Sequence, residues 1–128
     1  MFEFKQINDE PDAIAPDGAE VRMLCNTSGG SMAHFRLAPG GVTKPIRHRT
    51  IDEVWYIMAG TGRMWLSFDD ADDVADLRPG ISISLPLGTR FQFRCDGADP
   101  LEAVAVATPP WPGANEAIPV EGPWQPTV

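Results

Sequence analysis

Through the middle of the chain, strand-length apolar runs alternate with turn residues, and this punctuation limits the fold more than any other feature. Residues 21–25, 32–38, 53–59, 63–68, 81–85, 90–95 and 101–107 read as strands, separated by clusters of Gly, Pro, Asn and Asp. The run at 53–59 is rich in β-branched and aromatic residues, and Gly60-Thr61-Gly62 turns it into the next one as a hairpin. With 13 prolines and 12 glycines in 128 residues, long helices have no room. Many short strands at regular spacing predict an all-β antiparallel sandwich or closed barrel of about ten strands.

At this length the chain makes one domain and buries roughly two thirds of its unfolded surface. The barrel core is expected over about residues 21–108 of a single domain spanning 1–128. Ahead of it, a short strand is expected near Phe2 and Phe4, followed by an irregular linker. Asp69, Asp70, Asp72, Asp73 and Asp76 read as a solvated acidic loop, because the glycine and terminal glutamate of a calcium loop are missing. The prolines of residues 109–128 exclude regular structure, while Trp111 and Trp124 give this tail apolar surface to pack on the barrel or on a partner. Trp111 reads either as a lid over the barrel mouth or, more commonly for such a residue, as an anchor on an apolar patch.

A net charge of -8 repels phosphate backbones and anionic lipid, so neither nucleic acid nor a membrane is an expected partner. The first residues lack the basic and apolar segments of a signal peptide, and no run is long enough to span a bilayer. Cys25 and Cys95 have no Cys or His at close spacing, which suits reduced thiols and a cytoplasmic location.

Residues 41–60 hold the candidate chemistry: a glycine turn, His48, Glu53 on an apolar strand, and a closing glycine turn. Residues 80–94 repeat that grammar with Gly80, Pro86 and Gly88. These two segments resemble the paired motifs of the cupin superfamily, a small single-domain cupin of the conserved-barrel type. The resemblance implies a double-stranded β-helix, or jelly-roll barrel, in which three histidines and a glutamate hold a divalent metal. Aligning Glu53 and Gly60 on the first motif puts His48 at its second histidine and Ile46 at its first. The second motif then puts Phe91 at the third histidine and Cys95 where an asparagine is usual.

Two of the four donors are thereby lost, and Ile and Phe offer no lone pair. No cofactor is expected. A weak or non-standard divalent ion (Fe, Mn, Ni or Zn) would need His48 and Glu53 joined by His34 or Cys95. The remaining pair has two readings: His48 as a general base oriented by Glu53, or two buried groups that satisfy each other.

Period-two alternation places Glu53, Trp55, Ile57 and Ala59 on one strand face, and Phe91, Phe93 and Cys95 on one face of another. The expected pocket is lined by Ile46, His48, Glu53, Trp55, Phe91, Phe93 and Cys95, unless those side chains fill the barrel themselves. Arg90 and Arg94 then point to solvent. The expected function is binding of a small organic ligand, a sugar or an organic acid. The alternatives are an isomerase, epimerase or lyase using His48 and Glu53, and a metal-dependent dioxygenase with a rebuilt ligand set. By resemblance, a homodimer pairing through residues 2–7 is expected.

Overall fold

The computed structural model describes all residues, 1–128. Eleven strands form two antiparallel sheets. The first sheet orders β1 (Ala13–Ile14), β2 (Glu20–Asn26), β3 (Ser31–Leu37), β10 (Leu101–Thr108), β5 (Asp52–Ala59) and β8 (Ser82–Leu85). The second orders β11 (Ala117–Pro119), β4 (Ile46–His48), β9 (Arg90–Cys95), β6 (Gly62–Phe68) and β7 (Ala71–Leu77). Strands adjacent in sequence repeatedly fall in opposite sheets, which is the double-stranded β-helix that the resemblance implied.

One core joins the inner faces. Trp55 and Ile57 of β5, Met64 of β6, Phe91 and Phe93 of β9 and Ala105 of β10 are all buried in it. Alternation explains the choice: β5 reads exposed, buried, exposed along its length, so Glu53, Trp55 and Ile57 share the inner face. Gly60 takes φ 80° in the turn after β5, a conformation that favours glycine. A Cβ at Gly62 would collide with the Arg94 carbonyl across the ladder, so β6 and β9 require glycine there.

Several expectations are corrected. No strand forms at Phe2 or Phe4, which stand 85% and 93% exposed on an arm. That arm is held by side chains instead: Arg22 donates to the Asn8 and Asp9 carbonyls, and the Glu3 carboxylate accepts from the Asn26 amide. The acidic segment is a strand, β7, paired residue for residue with β6. Backbone pairing to a long neighbour overrides the poor strand propensity of aspartate, and the charges face solvent at a sheet edge. The tail is also partly regular. Ala114–Glu116 makes one 3₁₀ turn and β11 pairs with β4, because Pro119 sits at the end of a strand only three residues long.

Further on, the tail straps the second sheet. Gln92, buried between Phe91 and Phe93, donates to the Thr43 and Trp124 carbonyls and accepts from the Trp124 amide. The Trp124 ring lies 5.3 Å from the Arg94 guanidinium, so Arg94 is half-buried whereas Arg90 is exposed as expected. No helix is long and apolar enough to cross a membrane.

Candidate functional site

His48 ends β4 and Glu53 follows β5's first residue, so the loop 49–51 fixes their separation. That loop is tied by Glu116, whose buried carboxylate accepts from the Thr50 and Ile51 amides and from the Thr50 hydroxyl. His48 Nε2 and Glu53 Oε1 stand 3.7 Å apart, too far for a direct hydrogen bond. Glu53 Oε1 instead accepts from the Trp55 indole N–H at 3.0 Å, two residues along the same strand face. Its other oxygen receives no hydrogen bond from the protein.

The aromatic residues pack around this pair. Phe91 meets the His48 ring edge-on at 5.3 Å and Trp111 meets it at 5.7 Å. Trp55 stacks on Phe35 at 5.1 Å and takes Phe91 and Phe93 edge-on. The barrel interior is thus filled by its own side chains.

A cavity of about 250 Å³ remains at the barrel mouth. Its walls are the inner faces of β2, β3 and β10, the stretch from Ala13 to Pro16, and Trp111 and Ala114 of the tail. Of the seven residues expected to line a pocket, only Glu53 does. Ile46, Trp55, Phe91, Phe93 and Cys95 belong to the packed core, and His48 stands behind Trp111. Alanines create the space: Ala33, Ala105 and Ala107 face it where larger residues would close it.

Burial governs the charges. It pushes the Glu53 carboxyl up to about 7, with the Trp55 bond opposing and the Asp17 and Glu116 charges adding. Burial also lowers His48 to about 4, against the pull of Glu116. Asp17, buried behind the Ala13–Pro16 wall, is raised to about 6 for the same reason, although the Ala19 amide and Lys44 oppose it. In Glu116 burial acts upward too, but bonds from Thr50 and Ile51 outweigh it and hold this carboxyl below its usual range. Between about pH 4 and 7, His48 and Glu53 therefore face each other as neutral imidazole and neutral acid.

The donor set does not fit a metal. His34, one candidate for completing it, lies on the outer face of its sheet, with Nε2 2.9 Å from Glu102 Oε1. Its neighbours Ala33 and Phe35 take the cavity side. Cys95 faces the core but lies four residues, roughly 13 Å, along β9 from Phe91, with its thiol on the Asp99 carbonyl. No three His, Cys, Asp or Glu side chains are grouped to hold an ion.

Asp17, Ser31 and Glu116 were not singled out by the sequence. Glu116 gave no signal, since it meets Thr50 from 66 residues away. Ser31 sits at a strand start and its hydroxyl accepts from the Trp111 amide at 2.9 Å. That bond anchors Trp111, whose ring packs on His48 and lines the cavity.

Known proteins bear out the architecture. A family model described as a cupin domain matches residues 33–107. The uncharacterized protein MJ1618 of Methanocaldococcus jannaschii is 28% identical over 120 residues, covering 87% of this chain and 93% of that protein. KdgF from Halomonas sp. aligns with a TM-score of 0.64 at 17% identity, over 82% of this chain and 88% of KdgF. Oxalate decarboxylase from Bacillus subtilis gives 0.72 at 16% identity, over 90% of this chain and 30% of the decarboxylase. At such identities the solved structures speak to fold alone.

Proposed function

Since the chain belongs to the cupin family through residues 33–107, we propose that it binds a small organic molecule in the cavity at the barrel mouth, without a metal at the His48 and Glu53 positions. The observation that carries this reading is one carboxyl, Glu53, turned into an otherwise mostly apolar cavity with one oxygen unengaged. Concave apolar sites with few convergent polar groups are the usual form of small-molecule sites. A thermal-shift screen tests it: ligands that raise the melting temperature should lose their effect when Ala107→Leu fills the cavity. Ligands that stabilise the filled variant equally would contradict it.

A second reading, an isomerase, epimerase or lyase, is favoured by the neutral-range titration of Glu53. General acid–base groups work best with a proton affinity near the operating pH, and His48 at about 4 is a weak base there. In that reading Glu53 moves the proton and His48 only neighbours it. The proposal extends to a homodimer. Val54, Tyr56 and Met58 of β5 and Met32 of β3 expose apolar surface on the outer sheet face, as do Phe2 and Phe4 on the arm. Sedimentation of the full chain against a Phe2→Ser, Phe4→Ser variant reads this out; an unchanged monomer in both would refute it.

A further inference from the structure

We infer that the mouth cavity selects a compact, largely apolar molecule, about the size of a single ring with a short substituent, that carries one hydrogen-bonding group and no negative charge. This rests on the binding site proposed above and names its ligand class. Size comes first. Apolar cavities of roughly 150 Å³ already accept benzene, so about 250 Å³ takes a monocyclic molecule with a few further atoms.

Polarity narrows the class. Eleven of the fourteen wall residues are hydrophobic, and none is Lys, Arg, His, Asn or Gln. A carboxylate or phosphate ligand would give up its hydration for a wall that holds no cation, and above about pH 7 it would also meet an ionised Glu53. A sugar would bring several hydroxyls to a wall with two polar side chains, Glu53 and Ser31. Each hydroxyl left without a partner weakens binding by roughly tenfold or more. One polar group is different: the unengaged oxygen of Glu53 meets it, while the Ser31 hydroxyl, accepting from the Trp111 amide, retains its own proton to donate. Phe35 and Trp111 supply flat apolar faces for the remainder of the molecule.

Four probes of graded polarity test the inference on the full chain: benzyl alcohol, toluene, benzoate and methyl glucoside, followed by tryptophan fluorescence and ligand-observed NMR. Benzyl alcohol should bind at least about tenfold more tightly than benzoate or methyl glucoside. Glu53→Leu should reduce benzyl alcohol to the level of toluene, and Glu53→Gln, which keeps a hydrogen-bonding group, should retain its advantage. Benzoate or methyl glucoside binding as tightly as benzyl alcohol would overturn the ligand class, as would benzyl alcohol unaffected by Glu53→Leu in a folded protein. Ala105→Leu, with Ala33→Leu as a second filling variant, separates the two levels of the proposal. Loss of whichever probe binds keeps the site and leaves only its class in question. Binding that survives both folded filling variants, or no binding by any probe, overturns the site and the ligand class with it.

Discussion

The Trp55 indole donates to Glu53 Oε1 from the same face of β5, at 3.0 Å, and so fixes which carboxyl oxygen is left for the cavity. Trp55 thus both packs the core, on Phe35, Phe91 and Phe93, and orients the one ionisable group in the cavity wall. Replacing it by Phe retains an aromatic filler and removes the bond. The Glu53 carboxyl, which that bond holds down, should then titrate above its present value of about 7. The variant should be less stable by about 2 kcal/mol. Carbon-detected NMR titration of the Glu53 side chain reads the first effect and chemical denaturation the second.

Stability should fall as pH rises from about 4.5 to 7. Glu53 releases its proton at about 7 in the fold against an ordinary value of 4.5, and Asp17 at about 6 against 3.8. In that window the folded chain holds protons that the unfolded chain has lost, so alkali favours unfolding. His48, lowered to about 4 from 6.5, acts in the opposite direction but is a single group. The net loss across the window is about 2 to 3 kcal/mol. Glu116, held low, acts only below the window. Denaturant midpoints measured across this range should decline in the parent protein and stay nearly flat in Glu53→Gln. Parallel profiles would contradict the account.

Glu116→Gln should loosen the loop between His48 and Glu53. The carboxylate takes three hydrogen bonds from Thr50 and Ile51, more than one amide oxygen can accept well. A loss of about 2 kcal/mol and faster hydrogen exchange at the Thr50 and Ile51 amides are expected. His48, whose proton affinity Glu116 raises, should titrate below its present value of about 4.

Metal titration bears on the missing donors. With Ile46 and Phe91 buried where ligands would sit, and His34 turned outward, calorimetry with Mn, Ni or Zn should show no stoichiometric site. One tightly bound equivalent lost in His48→Ala would show that the donor set has been misjudged.

The barrel was readable because β5 and β9 are strand-length runs rich in aromatic and apolar residues, and the turns beside them are written in glycine and proline. Ile46 and Phe91, at the positions where the resemblance implies histidines, were readable one residue at a time, and both are buried in the core. What lay outside the sequence's reach came from pairings over long separations. β7 forms because β6 supplies a full ladder, against the propensity of its aspartates. The cavity is formed by alanines of β3 and β10 meeting Ala13–Pro16 and Trp111, segments whose proximity no local pattern encodes. For that reason the aromatic residues expected as pocket walls turned out to be core, and only Glu53 reached the cavity.

Methyl NMR of Ala33, Ala105 and Ala107 tests the central claim most directly, because these three methyls line the mouth cavity. On titration with benzyl alcohol the account predicts saturable shifts of all three, with the Trp111 indole shifting in step. Shifts that leave these methyls unmoved and cluster elsewhere on the molecule would contradict it.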